Sequence, residues 1–337
     1  MNLLVFLSDR CNMACDYCFL SLNEKPATIL SEADGLRAVD EHVRRAGRAA
    51  RFTLLGGEPL LHPELALALA ARARGAGAKV TLVSNGTKAE PEIAGALLGL
   101  GVEVAISLDG KAESHDKHRR ALGGGTSHAA IMKSLARLDA SRLRVNLVIS
   151  PDTVGSFLSN VEWLRTNGFT RLSFHADVAR PWSPADLKAL ETALNGFSRY
   201  ARALGPALSL WHLDSYRNAS AAAPKEDEEL VLGADGRYYA SDAWLSRPYG
   251  QGTDGAVGGL AAGLDAKKRR ELLADADRGV CAALAGEACY TWPRETWLLA
   301  KLAGRDPAAA VRAFARADRV LGDSLSPLAR EREGARA

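Results

Sequence analysis

Residues 2–18 read NLLVFLSDRCNMACDYC, and this segment carries the features that decide the fold. The apolar run from Asn2 to Leu7 has the length and composition of a buried strand. Three of the five cysteines in the chain, Cys11, Cys15 and Cys18, follow directly after it. Thiols at spacings of four and three on one loop can converge on a single inorganic site. The segment therefore predicts a strand followed by a metal-binding loop.

The alternation of strand and helix continues along the chain. Further strands are predicted at Arg51–Leu55, Lys79–Ser84, Val102–Ser107, Arg144–Ile149 and Arg171–His175, and helices at Ser31–Arg45, Pro63–Arg74, Glu90–Gly99, Ser127–Leu138, Thr153–Asn167 and Ser183–Leu204. Such a series is typical of βα units around a parallel sheet. Six units predict an α/β fold, a partial (βα)6 TIM-like barrel over residues 1–205. Residues 206–337 are expected to form a small C-terminal α+β domain with a helical tail.

The C-terminal third has weaker patterns. Leu230–Tyr239 alternates around Asp235-Gly236, which predicts a β-hairpin. The glycine-rich stretch Gln251–Gly263 is expected to be mobile, and the last dozen residues are expected to be frayed.

The composition excludes several classes of protein. With 43 basic and 40 acidic side chains and 47% hydrophobic residues, the 337-residue chain resembles an ordinary globular protein. A formal charge of +3 gives no field that would favour nucleic acid or a membrane surface. The first ten residues have neither the basic start nor the cleavage site of a signal peptide. We therefore expect a cytoplasmic protein with no nucleic-acid or membrane partner.

Glycines and polar residues follow the predicted strands at the edge where barrel enzymes place their sites. They are Gly56-Gly57-Glu58-Pro59, Ser84-Asn85, Ser107 and Asp109, and His175 and Asp177. Each group alone could be a turn whose side chains bond their own backbone. Because these groups recur at the same end of successive predicted strands, they predict a functional site at that edge of the sheet.

The cysteine triplet leaves more than one metal open. An iron–sulfur cubane normally takes four thiolates, so three local ligands would leave one iron without a protein ligand. A closed zinc site would need a fourth ligand from elsewhere in the chain. A chance cluster of buried thiols is the third possibility.

Cys-x-x-x-Cys-x-x-Cys after a first strand resembles the radical S-adenosylmethionine (SAM) superfamily, and the strand-end motifs strengthen the resemblance. It covers residues 1 to about 205. The resemblance implies a 4Fe–4S cluster on Cys11, Cys15 and Cys18, with SAM chelating the open iron. It also implies one-electron cleavage of SAM to a 5′-deoxyadenosyl radical that takes a hydrogen atom from the substrate.

The same resemblance assigns candidate SAM contacts by position. Gly56, Gly57, Glu58 and Pro59 match the motif that binds the methionine ammonium, with the Glu58 carboxylate expected to be exposed. Ser84, Asn85, Ser107 and Asp109 match positions used for the SAM carboxylate and ribose. Tyr17 and Ile149 match positions near adenine, although ordinary core is an alternative for Ile149. Arg119 is a candidate partner for the SAM carboxylate, with a solvated basic loop as its alternative.

Ser107-Leu108-Asp109-Gly110 with His115-Asp116-Lys117-His118-Arg119 resembles a narrower subgroup, that of peptide maturases and anaerobic sulfatase-maturating enzymes. Its C-terminal SPASM domain holds auxiliary clusters on cysteines. Here Ser241 stands where the first of those cysteines is expected, and only Cys281 and Cys289 follow. We therefore predict a degenerate SPASM-like domain with no auxiliary cluster, in which both cysteines are buried small hydrophobes.

The sequence constrains the substrate least. The subgroup implies a ribosomally synthesised peptide that is crosslinked, epimerised or oxidised, and an external one-electron donor of the flavodoxin or ferredoxin type. We expect no peptide-recognition domain ahead of the first strand, so a small-molecule dehydrogenase or cofactor-biosynthesis enzyme stays open. His175 and Asp177 are the candidate substrate-facing residues, and His212 and Asp214 form a second such pair.

Overall fold

The computed structural model describes residues 1–18, 20, 22, 27–177, 180–210, 229–245, 255–284, 300 and 306–334. The chain divides into two compact units, each built from several segments. The first contains Met1–Ser107, Arg119–Leu138 and Pro224–Ala276, and the second contains Leu108–His118, Asp139–Ala223 and Asp277–Ala337. The sequence-based division at residue 205 stays a prediction.

The described elements confirm the α/β class. The strands are β1 (Asn2–Phe6), β2 (Arg51–Leu55), β3 (Lys79–Ser84), β4 (Glu103–Ser107), β5 (Arg144–Ile149), β6 (Arg171–Ala176), β7 (Ser209–Leu210), β8 (Glu229–Leu232), β9 (Arg237–Tyr239), β10 (Ala256–Gly259) and β11 (Gly263–Leu264). The helices are α1 (Glu32–Ala46), α2 (Pro63–Gly75), α3 (Pro91–Gly99), α4 (Ala112–His118), α5 (His128–Leu135), α6 (Phe157–Thr166), α7 (Pro184–Leu204), α8 (Ala266–Leu284) and α9 (Pro307–Gly334). All six predicted strands and all six predicted helices are present within a few residues of the expected bounds.

The first unit is built on a parallel sheet with the strand order β1-β2-β3-β4. Helix α1 begins where the sequence suggests, because the Ser31 hydroxyl accepts a hydrogen bond from the Asp34 backbone N–H at 3.1 Å. Strand β1 is buried from Leu3 to Phe6, whereas β2 and β3 alternate buried residues with partly exposed ones. Their carboxyl ends lead into the cysteine loop and the strand-end motifs.

The same sheet extends beyond β1. Strand β8 pairs with β1 in parallel, and β9 pairs with β8 as the predicted hairpin. Its turn places Gly236 at φ +74°, a conformation that favours glycine. The Tyr239 hydroxyl donates to Asp235 across the turn at 2.7 Å. Residues 256–259 and 263 of the glycine-rich stretch lie in β10 and at the start of β11, and the mobility of the stretch stays a prediction.

The second unit pairs β5, β6 and β7 in parallel. Its core centres on Phe157, Phe174 and Phe197, whose ring centroids lie 5.1–5.6 Å apart in edge-on or tilted contacts. The Ser198 hydroxyl donates to the Ser324 carbonyl at 2.8 Å and ties α7 to α9. Helix α9 continues to Gly334, and fraying of its last residues stays a prediction.

No helix in the described parts of the chain is both long and apolar enough to cross a membrane.

Candidate cofactor site at the cysteine loop

The cysteine loop follows β1 and contains Cys11, Cys15 and Cys18. Cys11 is buried, while Cys15 and Cys18 are half-buried. The Cys18 backbone N–H donates to the Cys15 carbonyl at 3.2 Å, which closes a turn between the last two thiols. The backbone fold of this loop thus presents three sulfurs from eight consecutive residues.

The end of β2 clamps the start of this loop through backbone hydrogen bonds. Gly57 N–H donates to the Ser8 carbonyl at 2.8 Å, and Glu58 N–H donates to the Arg10 carbonyl at 2.7 Å. A Cβ atom at Gly57 would lie 1.9 Å from the Arg10 carbonyl oxygen. Only glycine permits this approach, so Gly57 fixes the backbone that carries Cys11.

Gly56 and Pro59 complete the clamp on either side. Gly56 has φ +146°, and a Cβ there would lie 2.5 Å from the Ser8 carbonyl oxygen. Pro59 is buried and opens a single 3₁₀ turn, Pro59–Leu61. The structure thus gives the glycine pair a packing role against the cysteine loop, and their contact with SAM stays a prediction.

The Glu58 side chain is fully buried, so the expectation of an exposed carboxylate is wrong. Its oxygens accept hydrogen bonds from Leu60 N–H at 2.9 Å, the Ser84 hydroxyl at 2.8 Å and Asn85 N–H at 2.7 Å. Burial raises the pKa of Glu58 to about 7 against the opposing effect of these donors. Glu58 therefore joins the end of β2 to the end of β3 beside the cysteine loop.

The end of β3 contacts the cysteine loop through side-chain amides. Asn85 Nδ2 donates to Asn12 Oδ1 at 2.9 Å and lies 3.8 Å from Cys11 Sγ. Asn12 Nδ2 in turn donates to the Thr87 hydroxyl at 2.8 Å. Ser84 and Asn85 are both buried, and their predicted SAM contacts are not tested by these bonds.

A third segment, after Arg119, holds the loop from another side. Ala14 N–H donates to the Arg120 carbonyl at 2.8 Å, and Leu122 N–H donates to the Asn12 carbonyl at 2.9 Å. The Arg119 guanidinium carbon lies 5.1 Å from the centroid of the Tyr17 ring, a cation–π contact. Arg119 is buried, so the alternative of a solvated basic loop is wrong for this residue. The two predicted SAM contacts, Tyr17 and Arg119, thus lie against each other next to Cys18.

The electrostatics show that the three thiols are neighbours. The pKa of Cys11 is raised to about 12, chiefly by burial. The Met13 N–H lowers it, while the charges of Glu58, Cys15 and Cys18 raise it further. Cys15 and Cys18 therefore lie close enough to Cys11 for their charges to act on its thiol.

Three thiols are the donor set that a 4Fe–4S cluster takes when one of its irons has no protein ligand. Cys11, Cys15 and Cys18 lie on one clamped loop, so these residues fit such a cluster. A zinc ion would need a fourth ligand beside them. Among the described residues, no three His, Cys, Asp or Glu side chains are grouped as ligands of one metal ion.

The remaining predicted SAM contacts lie at the ends of β4 and β5. Ser107 is half-buried at the end of β4. In the second unit, buried Asp109 accepts a hydrogen bond from Val148 N–H at 3.0 Å through Oδ1. Ile149 is 1% exposed, as a core residue is. The structure assigns Asp109 a backbone partner, and the roles of Ser107, Asp109 and Ile149 toward SAM stay predictions.

The candidate substrate residues, His175 and Asp177, lie at the end of β6. His175 is half-buried, whereas Asp177 is 2% exposed. Asp177 accepts a hydrogen bond from the Ser150 hydroxyl at 2.8 Å. It also forms an ion pair with Arg180 at 3.5 Å. Asp177 is thus held by two contacts at the end of β6, and the role of both residues toward a substrate stays a prediction.

Sequence reasoning missed the charged cluster beside Asp177. Arg180 also approaches Asp152 at 3.4 Å, and Asp152 pairs with His118 and Lys117 at 2.9 Å each. Burial acts to raise the pKa of Asp152, but the hydrogen bonds from Lys117 and His118 outweigh it and hold the pKa below its usual range. The available sequence signal is Ser150-Pro151-Asp152 directly after β5, a combination that is also common in simple turns.

The C-terminal residues correct one prediction and leave others open. The Ser241 hydroxyl accepts a hydrogen bond from Ala243 N–H at 3.2 Å, so this residue caps a short turn. Cys281 is exposed on α8, so the expectation of a buried thiol is wrong there. Tyr238, Tyr239 and Trp244 are buried. Three sequence candidates lie outside the described residues: His212, Asp214 and Cys289.

Comparisons with known proteins point the same way. The family model described as "Radical SAM superfamily" matches residues 5–164. The GTP 3′,8-cyclase of Rhodococcus opacus is 29% identical over 174 residues, 50% of this chain and 49% of the relative. The serine-type anaerobic sulfatase-maturating enzyme of Klebsiella aerogenes is 28% identical over 156 residues, 42% of this chain and 38% of the relative. The chain thus spans about half or less of the length of these curated relatives.

Solved structures share the fold. Native anSMEcpe with bound AdoMet and Cp18Cys peptide aligns with a TM-score of 0.72 at 17% identity, covering 98% of this chain and 99% of that one. SuiB of Streptococcus suis bound to precursor peptide SuiA aligns with a TM-score of 0.54 at 15% identity, covering 75% and 61%. The curated relatives are named as enzymes. Residues 5–164 of this chain, which include the cysteine triplet, match the radical SAM superfamily.

Proposed function

We propose that this protein is a radical SAM enzyme whose Cys11, Cys15 and Cys18 hold one 4Fe–4S cluster. The observation that carries the proposal is the clamped cysteine loop, fixed by Gly57 and Glu58 from β2 and by Asn85 from β3. These contacts fix the backbone that carries Cys11, and three thiolates would leave one iron of a cubane without a protein ligand. One iron would then stay available to SAM.

When bound, the cluster and SAM supply the one-electron cleavage that yields a 5′-deoxyadenosyl radical able to take a hydrogen atom from substrate. The chain supplies position and charge. Tyr17 and Arg119 offer an aromatic face and a guanidinium next to Cys18, suited to an adenine ring and a carboxylate. Gly57 and Glu58 keep the cysteine backbone rigid.

A peptide is the proposed substrate class, modified by crosslinking, epimerisation or oxidation. Support comes from the fold shared with structures that contain peptides, anSMEcpe with Cp18Cys peptide and SuiB with SuiA. The charged cluster beside Asp177 consists of Arg180, Asp152, His118 and Lys117. This Arg180 cluster offers charges of both signs to the amides or termini of a peptide. Its carboxylates and cations are already paired, so we expect it to orient a substrate instead of exchanging protons with it.

A small molecule is the second candidate substrate. The specific observation in its favour is the GTP 3′,8-cyclase relative, named for a nucleotide reaction and 29% identical over half of this chain. Parallel anaerobic incubations with candidate precursor peptides and with nucleotides, sugars or porphyrins separate the two classes. The candidate compounds are deuterated. The substrate is the one that accelerates the formation of 5′-deoxyadenosine and whose deuterium appears in the 5′-deoxyadenosine.

The cluster itself is tested by anaerobic reconstitution with iron and sulfide. We expect about four irons per chain, broad visible absorbance, and 5′-deoxyadenosine on addition of SAM and dithionite. Cys15→Ala should lose most of the iron. Cys281→Ala is the matched control, since this exposed thiol lies outside the cysteine loop. Stoichiometric zinc, or full iron binding by Cys15→Ala, would contradict the proposal.

We also propose that the C-terminal region holds no auxiliary cluster and that an external flavodoxin- or ferredoxin-type protein donates the electron. Ser241 supports the first point because its hydroxyl is used as a local cap. The double variant Cys281→Ala with Cys289→Ala should keep all of its iron. Loss of about half would show a second cluster. Reduction by a purified flavodoxin system tests the donor.

A further inference from the structure

The Asn85 side chain is aimed at the most buried of the three cysteines. Its Nδ2 lies 3.8 Å from Cys11 Sγ, within hydrogen-bonding range for a sulfur acceptor. Met13 N–H reaches the same sulfur at 3.4 Å. The sulfur of Cys11 thus receives a side-chain donor in addition to a backbone donor.

The orientation of this amide is fixed by its other bonds. Asn85 Oδ1 accepts from Thr87 N–H at 2.9 Å and from the Thr87 hydroxyl at 2.7 Å. Both partners are donors, so the oxygen must face Thr87 and the nitrogen must face Cys11. Nδ2 also donates to Asn12 Oδ1 at 2.9 Å, and the Asn85 backbone donates to Glu58 at 2.7 Å. A flipped amide would break several bonds at once.

We propose that Asn85 is a positioning residue that donates an N–H···S hydrogen bond to Cys11 and raises the reduction potential of the cluster. The inference rests on the proposed cluster at Cys11, Cys15 and Cys18. Donors to a ligand sulfur withdraw negative charge and so favour the more negative, reduced cluster. The effect is strengthened because Asn85 and Cys11 are each only 9% exposed.

The test compares reduction potentials of reconstituted proteins by EPR-monitored titration. Asn85→Ala should shift the midpoint potential of the cluster to a lower value, and Asn85→Asp should shift it further, since a carboxylate would face the sulfur. Asn12→Asp is the matched control, because the same change places a charge next to Cys11 while the Asn85 amide remains. It should shift the potential less than Asn85→Asp. An unchanged potential in Asn85→Ala with full iron, or an equal shift in Asn12→Asp, would overturn the inference.

A second measurement does not depend on the Asn85 variants binding iron. Protein made with asparagine ¹⁵N-labelled only in the side chain should show a weak ¹⁵N hyperfine coupling to the reduced cluster by pulsed EPR. The coupling should persist in Asn12→Asp, which leaves Asn85 as the amide next to Cys11. If the coupling is absent from a protein with a normal cluster signal, the role proposed for Asn85 is refuted while the proposed cluster stands. Absence of any cluster signal refutes the proposed function instead.

Discussion

Replacing Gly57 by alanine tests whether the β2 clamp fixes the cysteine loop. The new Cβ would lie 1.9 Å from the Arg10 carbonyl oxygen and 2.9 Å from Cys11 N. Real Cβ atoms essentially never come within 3.0 Å of such neighbours, so the loop has to move by at least about 1 Å. The obstacle is backbone, which cannot change rotamer to make room.

The cost follows from the hydrogen bonds that span this contact. Gly57 N–H and Glu58 N–H donate to the loop at 2.8 and 2.7 Å. A shift of about 1 Å breaks or weakens both, and each buried unpaired backbone group costs about 1–3 kcal/mol. We expect Gly57→Ala to lower the free energy of unfolding by about 2–5 kcal/mol. Iron retention after reconstitution should fall in parallel, because the displaced backbone carries Cys11.

Gly95→Ala is the matched control for this experiment. Gly95 lies in α3, its φ is not positive, and a Cβ there would meet nothing within 4 Å. The same chemical change should therefore stabilise the protein by about 0.5–1 kcal/mol through helix propensity. Denaturant unfolding and iron content are measured on both variants side by side. If Gly57→Ala matched Gly95→Ala in both, the clamp would have no energetic importance and the reasoning would be wrong.

Three further predictions concern stability. In the apoprotein, the pKa of Glu58 is about 7, against an ordinary value of 4.5. The free energy of unfolding should therefore fall by about 3 kcal/mol as the pH rises from 4.5 to 7. Glu58→Gln should abolish this pH dependence, as measured by urea unfolding at pH 5 and pH 8. Phe197→Ala should cost about 3–5 kcal/mol, since its ring is fully buried, and a loss below 1 kcal/mol would refute the aromatic core. Arg202 and Glu331 form an exposed ion pair at 2.7 Å, and a double-mutant cycle should give a coupling below about 1 kcal/mol.

The elements could be predicted from the sequence because their signals are local. Apolar strands and helical period placed all six βα units, and Ser31 marked the start of α1 through its own hydroxyl. The hairpin was predicted from the Asp235-Gly236 pair, and Gly236 adopts the positive φ that such a turn needs. Helix α4 was missed because its seven residues are mostly polar and give no clear apolar stripe.

The candidate site was predicted in its composition but not in its contacts. The sequence identified Glu58 as a motif residue, but only the fold shows that it accepts bonds from Ser84 and Asn85, 26 and 27 residues away. Side chains that look like ligand contacts in a motif can instead be used to hold the motif together. Periodicity reports which face of an element is apolar, and it carries no information about which distant donor reaches a given carboxylate.

The contacts around the cysteine loop separate two kinds of role within one motif set. Glycines that meet backbone, such as Gly57, set where the sulfurs stand, and their loss should reduce iron binding. Residues that meet a sulfur through a side-chain donor, such as Asn85, should alter the properties of a cluster that is still bound. Tyr17 and Arg119 contact each other beside Cys18 and are the proposed contacts of SAM. Their loss should therefore weaken SAM binding at constant iron. Iron content, reduction potential and SAM affinity can therefore be changed one at a time, and variants that changed all three together would show that the loop behaves as one undivided structural unit.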